Sequence, residues 1–171
     1  MADLATYAAL AEIFGVVTII VAAIFGVIQF REFRRRRMAQ TAAELCSQFT
    51  KPEFARAVTL LKNLPDGTTH DELIERGSEY EDAAQLVGMA FETMGLLVHE
   101  DIACFPMTQE LTGGLVIMMW RKIGGWIKGT REKQKSPQFG EWVQWLSERF
   151  EEDEPNTTPA YEEFASWKPP R

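Results

Sequence analysis

The chain has 171 residues, too few for more than one ordinary globular domain, which excludes a multidomain enzyme. Its 18 basic and 25 acidic side chains give a net charge of −7, but this charge is unevenly distributed. Residues 1–37 have five Arg against three acids, net +2, whereas residues 38–171 are net −9. The positively charged N-terminal part, residues 1–37, also contains an apolar segment.

This apolar segment, residues 13–30, has 18 residues without a charge. At 1.5 Å per residue it spans roughly 27 Å, close to the hydrocarbon core of a bilayer. A cleavable signal peptide would have positive charge before the segment and a small-residue site after it, whereas Asp3 precedes it and REFRRRR follows it. We therefore predict a transmembrane helix over residues 7–30, after a short external N-terminus of residues 1–6.

An Arg-rich juxtamembrane stretch, residues 31–37, follows the predicted span. Its basic residues are Arg31, Arg34, Arg35, Arg36 and Arg37. Because an Arg excess marks the cytoplasmic side of a membrane, we expect the N-terminus outside and the C-terminal domain in the cytoplasm. The same side chains can contact anionic lipid headgroups, at about 1 kcal/mol for each Arg near the surface.

Small residues recur at every fourth position within the span, at Thr18, Ala22 and Gly26. Small side chains at this spacing let a second helix approach closely. We therefore predict lateral helix contact in the membrane, with another membrane protein or with a second copy of the chain.

The cytosolic part, residues 38–151, is predicted to be a helical domain. Nothing over 38–49 breaks a helix. The pattern Thr-Lys-Pro-Glu at 50–53 then predicts a capping box and a new helix, which ends at the turn 63–67. The apolar face of this helix comprises Phe54, Ala57, Val58, Leu60 and Leu61.

A second capping box is predicted at Ser78–Glu81, before the clearest amphipathic helix of the chain. Its apolar face comprises Tyr80, Ala84, Val87, Phe91, Met94 and Val98. Gly88 and Gly95 also lie on it. Because a helical glycine costs roughly 1 kcal/mol relative to Ala, we expect another helix to cross closely there.

Two more helices complete the predicted domain. Residues 108–130 include a short wholly apolar stretch that is too short to cross a bilayer, so we predict a buried helix. Whether residues 111–127 instead lie on the membrane stays open. The last helix is predicted from Pro137 to about Glu151, with an apolar stripe of Phe139, Trp142, Val143, Leu146 and Phe150. No strand pattern is found, so the predicted fold is all-α: one transmembrane helix followed by a small helical bundle.

The tail, residues 152–171, is acidic and Pro-rich, which is typical of a poorly ordered segment. Tyr161, Phe164 and Trp167 recur every three residues in it and would form an aromatic edge suited to docking in a groove. The groove can belong to this chain or to another protein, and packing on its own domain is the more economical interpretation. We predict partner contact for these three residues and for Trp145.

Patterns for chemistry are missing from the sequence. Cys46 and Cys104 lack CxxC spacing, so neither a disulfide nor a zinc site is predicted. His70 and His99 each precede acids, but adjacent residues cannot converge on one metal. There is no HExxH, Walker or GxGxxG pattern. We predict no cofactor and no catalytic activity; an enzyme acting on lipid, with its site around His99, Glu100 and Glu92, is the less favoured alternative.

A basic stretch, residues 121–135, has a net charge of +5, with Trp120 just before it and Trp126 within it. We do not expect nucleic-acid binding, because the domain is net −9 and would repel a polyanion. Two uses stay open. The stretch can contact headgroups at the inner leaflet, or it can attract the acidic residues 148–163, net −6, as a salt-sensitive latch.

The order of these parts resembles a family of small bacterial single-pass membrane proteins catalogued as a domain of unknown function. The residues that carry the resemblance are Phe91, Glu92, Gly95, Leu96, Leu97, Trp120, Arg131 and the helix 139–146. The likeness covers roughly residues 10–150 and leaves out the aromatic tail. It implies a bacterial inner-membrane location and no particular activity.

From these features we expect a non-enzymatic single-pass protein. It would act as an accessory, assembly or regulatory subunit through protein contacts of its cytosolic domain. The alternative from another class is a self-associating membrane effector, such as a toxin or a defence protein.

Overall fold

The computed structural model describes residues 14–33, 47, 49–153 and 158–169. Helices and turns make up these residues, with no strand among them, which confirms the all-α prediction. The chain divides into two compact units, Met1–Gln40 and Thr41–Arg171. The helices are α1 (Phe14–Phe33), α2 (Pro52–Leu61), α3 (His70–Glu75), α4 (Ser78–His99), α5 (Phe105–Gln134), α6 (Glu141–Glu152) and α7 (Ala160–Glu163).

In the first unit, α1 is long enough and apolar enough to cross a bilayer. It has 20 residues and a mean hydropathy of 2.1, and none of it is buried. At 1.5 Å per residue this is about 30 Å, the thickness of a hydrocarbon core. The helix continues through Phe33, three residues beyond the predicted end. Residues 1–13 of the predicted N-terminus and span lie outside the described residues.

Helix α2 begins at Pro52, whose fixed φ suits the first helical turn. The capping box predicted at 50–53 is wrong, because Lys51 is the N-cap and makes no side-chain cap bond. The hydroxyl of Thr50 instead donates backwards to the carbonyl of Ser47 at 2.9 Å. The predicted apolar face is confirmed, with Phe54, Ala57 and Leu61 buried and with Val58 and Leu60 packed against the core.

Helix α3 was not predicted, although its start carries a capping box. The Thr69 hydroxyl accepts from the Glu72 N–H at 3.4 Å, and the Glu72 carboxylate accepts from the Thr69 N–H at 2.8 Å. The Thr-x-x-Glu pattern at 69–72 was the signal in the sequence. The second predicted capping box is wrong, because Ser78 is the first residue of α4 and the N-cap is Gly77, with φ +113°.

Helix α4 lies at the centre of the second unit. The predicted face is confirmed, with Ala84, Val87, Phe91, Met94 and Val98 buried and Tyr80 partly buried. The close crossing predicted for both glycines occurs at one of them. A Cβ on Gly95 would lie 2.4 Å from the carbonyl oxygen of Trp142 in α6, whereas a Cβ on Gly88 would meet nothing within 4 Å.

Helix α5 runs further at both ends than predicted. Pro106 favours its first turn, and Lys135 in the left-handed conformation, with φ 52°, ends it. One face of α5 is buried in the domain core, by Val116, Met119, Ile123, Trp126 and Ile127. Leu111, at the other side, is 55% exposed. Residues 111–127 therefore contribute a face to the core of the bundle.

Helix α6 packs against both α4 and α5. It begins at Glu141, four residues later than predicted, because Gly140 adopts φ +68° and the chain turns there. Val143, Leu146 and Phe150 are buried as the stripe predicted, and Phe139 lies in the preceding turn. This turn between α5 and α6 forms part of the surface considered next.

Candidate interaction surface

The aromatic segment, residues 158–169, contains the single turn of α7. The Phe164 N–H donates to the Ala160 carbonyl and the Trp167 N–H donates to the Phe164 carbonyl, each at 2.9 Å. Two successive turns therefore carry Tyr161, Phe164 and Trp167 at three-residue spacing. These side chains are 76%, 56% and 65% exposed, respectively.

The segment does not pack on its own domain. Every described residue from 158 to 169 is exposed, so the expectation that the tail folds back is wrong for this part of the chain. The physical reason is that the apolar stripe of α6 is already covered. Phe105 of α5 lies 5.3 Å from Phe150 between ring centroids, and α4 packs on the same helix. Three large aromatic side chains are left exposed within seven residues of the chain.

A second apolar feature is a cleft of about 180 Å³ between α4, α5 and the turn before α6, here called the α4 cleft. Trp126 and Phe139 form an edge-to-face pair in its wall, with ring centroids 5.6 Å apart. Gly88 contributes no side chain, which leaves the cleft open. The lining residues are Gln85, Gly88, Met89, Glu92, Trp126, Ile127, Gln138, Phe139 and Gly140.

Hydrogen bonds hold the turn that closes one end of the α4 cleft. The Glu92 carboxylate accepts from the backbone N–H groups of Trp142 and Val143 at 3.0 and 2.9 Å. It thereby caps α6, whose N-cap Gly140 has no side chain to do so. The Arg131 guanidinium donates to the carbonyls of Phe139 and Gly140 at 2.6 and 2.8 Å. The cleft is therefore preformed.

One polar group in the cleft wall lacks a partner. The side chain of Trp126 is 2% exposed, and its buried indole N–H has no hydrogen-bond acceptor in the part of the chain that the structure describes. Buried donors are nearly always paired, so this N–H is an exception within the domain core.

A ridge separates this cleft from a second one on the outer face of α4. Met89 forms the ridge and is 61% exposed. The second cleft, of about 400 Å³, is lined by Lys51, Glu53, Phe54, Leu86, Met89, Ala90 and Thr93. The outer face of α4 thus exposes Leu86 and Met89 beside the start of α2.

The fourth predicted contact residue, Trp145, lies elsewhere. Its ring centroid is 5.7 Å from that of His99, which also stacks at 4.6 Å on Trp142. The His99 Nδ1 lies 3.0 Å from the carboxylate of Glu100. Trp145 is therefore half-buried in a ring cluster on α4 and α6, and the structure does not bring it together with the aromatic segment.

The alternative enzyme site was predicted around His99. Among the described residues, the fold brings no group of metal-ligating side chains to it. No group of three His, Cys, Asp or Glu side chains that could hold a metal occurs among the residues described. His70 starts α3, with its Nδ1 3.2 Å from Asp71. Cys104 is the N-cap of α5 and a free thiol, and Cys46 lies outside the described residues.

The basic stretch is largely engaged within the bundle. Lys122 pairs with Asp66 at 2.6 Å, and Lys133 pairs with Asp71. The contact with Lys133, and then that with His70, holds the pKa of Asp71 below its ordinary value of 3.8. Backbone and side-chain hydrogen bonds from Thr69 likewise lower the pKa of Glu72. Because these basic side chains are already paired within the domain, only weak surface attraction remains between the basic stretch and the acidic residues 148–163.

One contact of the predicted latch is present. Arg121 pairs with Glu151, which belongs to the acidic residues 148–163, at 3.0 Å. Both side chains are about half exposed, and a pair of this kind contributes roughly 0–1 kcal/mol. The aromatic segment itself is not drawn onto the basic stretch.

The predicted membrane residues lie on α1 as far as the structure describes them. Thr18, Ala22 and Gly26 are exposed at successive turns of the helix. The Thr18 hydroxyl donates to the Phe14 carbonyl at 2.8 Å, so its polarity is satisfied within the helix. Arg31 is in the last turn of α1 as described, and residues 34–37 lie outside the described residues.

A protein-family model matches most of the chain. A family described as a domain of unknown function (DUF4760) matches residues 6–150. The matched region includes α1 and the helices α2 to α5, and it ends within α6, before the aromatic segment. No curated protein and no solved structure matches the chain.

Proposed function

This chain belongs to the family described as a domain of unknown function (DUF4760), and we propose that it is a membrane-anchored accessory, assembly or regulatory subunit. It acts through protein contacts of its cytosolic part rather than through catalysis. The observation that carries the proposal is the exposure of Tyr161, Phe164 and Trp167. Large aromatic side chains dominate binding energies at protein interfaces.

The proposed anchor is α1. Its length, hydropathy and exposure along the whole helix support a single span. Arg31 and residues 34–37 support an orientation with the N-terminus outside and the domain in the cytoplasm, by the excess of Arg on that side. The proposed location is the bacterial inner membrane, with Arg side chains at the anionic headgroups.

The polar groups nearest the α4 cleft support a contact role. Glu92 is used to cap α6, and Arg131 is used to hold the turn before α6. These side chains therefore serve the architecture. A general acid or base would need a group free to exchange a proton with a substrate.

A co-purification experiment tests the proposal. The tagged full chain is extracted in mild detergent from its own host, beside a variant with Tyr161→Ala, Phe164→Ala and Trp167→Ala. A matched control carries Met107→Ala and Leu111→Ala, which removes exposed apolar side chains from α5. We expect a stoichiometric second species with the wild type and the control, and its loss with the tail variant. A species that persists in the tail variant would contradict the proposal.

A second candidate is a self-associating membrane effector, favoured by the uncovered face of Thr18, Ala22 and Gly26 on α1. A Cβ on Gly26 would meet nothing within 4 Å, so the face is open to another helix. This candidate predicts growth arrest on overexpression. It also predicts that Ala22→Ile with Gly26→Leu relieves the arrest. Unchanged growth on overexpression of the wild-type chain would exclude this candidate.

A further inference from the structure

We propose that the aromatic segment docks in a groove of a different protein, one with an apolar floor and a rim of lysine and arginine side chains. The inference rests on the proposed function, because it uses the same aromatic side chains, and it adds the chemistry of the partner. The charges beside these aromatics select this partner over a second copy of the chain and over the bilayer.

The aromatic segment forms its turns from its own backbone hydrogen bonds. The N–H groups of Glu162 and Glu163 both donate to the Pro159 carbonyl, at 2.9 and 3.1 Å. Pro159 has φ −58°, close to the value that its ring imposes. Because these turns are formed while the segment is exposed, little conformational entropy is lost when a partner binds it. The segment therefore has the properties of a short helical ligand with aromatic anchors.

Acidic side chains lie directly beside the aromatics. Glu162 and Glu163 follow Tyr161 in the single turn of α7, and both are exposed. The wider stretch 148–163 has a net charge of −6, and Lys168 offsets only part of it. A surface that approaches the segment therefore meets a negative potential, which attracts basic side chains and repels acidic ones.

These charges argue against a second copy of the chain as the partner. Residues 38–171 of each copy have a net charge of −9. Three side chains of the basic stretch are already paired with acids of the same domain, namely Arg121, Lys122 and Lys133. Two copies therefore approach each other as like charges, and the second copy does not supply a basic rim.

The same charges argue against the bilayer. Tryptophan and tyrosine are enriched at membrane interfaces, but anionic headgroups attract basic segments and repel acidic ones. Docking of the aromatics on the bilayer would bring Glu162 and Glu163 towards these headgroups. A protein groove with a basic rim satisfies both halves of the segment, because the aromatic rings fill its floor and the carboxylates pair with its rim.

Charge reversal tests the inference by co-purification of the tagged full chain from its own host in mild detergent. Glu162→Lys with Glu163→Lys reverses the charge beside the aromatics. The matched control, Glu110→Lys with Glu132→Lys, makes the same change of charge at exposed positions of α5. We expect the second species to fall at least several-fold with the reversed variant and to stay at the wild-type level with the control. Far-ultraviolet circular dichroism verifies that both variants fold.

Two further measurements on the wild-type complex define the contact. Raising the salt from about 0.1 M to about 1 M shortens the Debye length from about 10 Å to about 3 Å, and it should lower the amount of the second species. A carbodiimide joins a carboxylate to an amine in direct contact, and mass spectrometry identifies the cross-linked peptides. We expect cross-links from Glu162 or Glu163 to a lysine of the second protein.

A vesicle experiment examines the bilayer as the alternative. The full chain with Cys46→Ser, Cys104→Ser and Lys168→Cys carries an environment-sensitive dye on the new thiol. It is reconstituted in vesicles of phosphatidylethanolamine and phosphatidylglycerol without any other protein. We expect the emission of a dye in water. The emission of a dye in an apolar environment would assign the segment to the bilayer and overturn the inference.

The other outcomes separate this inference from the proposed function. If the tail variant loses the second species but the charge-reversed variant retains it, the basic rim is refuted and the proposed function stands. Cross-links to lysines of this chain alone would assign the segment to its own domain or to a second copy and refute a different protein as partner. A second species retained by the tail variant and by the charge-reversed variant would refute both.

Discussion

The crossing of α4 and α6 depends on the absence of a side chain at Gly95. In Gly95→Ala, the new methyl would lie 2.4 Å from the Trp142 carbonyl oxygen and 2.8 Å from its carbon. Real Cβ atoms do not approach a backbone so closely, so the two helices must separate. The same backbone segment donates the hydrogen bonds that Glu92 accepts, and separation weakens this cap as well.

The magnitude follows from opposing effects. Replacing a helical glycine by Ala stabilises by about 0.5–1 kcal/mol, whereas overpacking costs about 1–3 kcal/mol. Weakening a hydrogen bond to a charged group adds up to about 1.5–3 kcal/mol. We expect Gly95→Ala to destabilise the domain by about 1–3 kcal/mol, and Gly88→Ala, which meets nothing within 4 Å, to stabilise it by about 0.5–1 kcal/mol.

Urea unfolding of the full chain in mild detergent, followed by far-ultraviolet circular dichroism, measures both variants. The two glycines lie on one helix and have the same composition change, so each is the control of the other. The midpoint should fall for Gly95→Ala and rise for Gly88→Ala. Equal midpoints, or a greater loss for Gly88→Ala, would refute the assigned crossing.

Three further predictions concern helix termini and pH. Thr69→Ala should destabilise by about 0.5–2 kcal/mol in urea titrations because it removes the cap of α3, whereas Ser78→Ala should have little effect because Ser78 caps nothing. Glu92→Ala should cost about 1.5–3 kcal/mol by leaving the first amides of α6 unpaired, with Glu92→Gln in between; equal stability of all three proteins would be inconsistent with the cap. Because the folded pKa of Asp71 is lowered, its contribution is present above pH 3.8 and is lost as the pH falls below that value. Lys133→Ala should flatten this acid dependence, measured as unfolding midpoint against pH, and an unchanged profile would argue against the pair.

The amphipathic faces were predictable, because burial imposes a periodicity that the sequence shows directly. The face of α4 from Ala84 to Val98 is buried as its spacing predicted. The predicted apolar stripe of α6 was also correct, whereas the predicted start of the helix at Pro137 was wrong. Gly140 occupies a left-handed conformation that ends the turn, and a lone glycine does not reveal its φ in the sequence.

The helix starts were less predictable because a Ser/Thr-x-x-Glu pattern does not fix which residue is the cap. Thr50 and Ser78 both begin such a pattern, yet Lys51 and Gly77 are the N-caps. The box that does form, at Thr69, follows the turn at 63–67, in a segment for which we predicted no element. Local competition between neighbouring caps decides these positions, and it depends on how the helices pack.

The candidate site was predicted in part. The three aromatics of the tail could be named from spacing alone, because acidic, Pro-rich surroundings supply no core for them. The α4 cleft could not be named, since its walls come from three separate segments, residues 85–92, 126–127 and 138–140. Its one sequence signal was Gly88, which we had assigned to a helix crossing.

In the proposed function, the aromatic segment mediates assembly of a membrane-anchored bundle. Native gel electrophoresis of mild-detergent membrane extracts tests it most directly, with the wild type beside the variant Tyr161→Ala, Phe164→Ala and Trp167→Ala. We expect the wild type to migrate as an assembly larger than a monomer and the variant to shift to the monomer. Identical migration of the two proteins would contradict it.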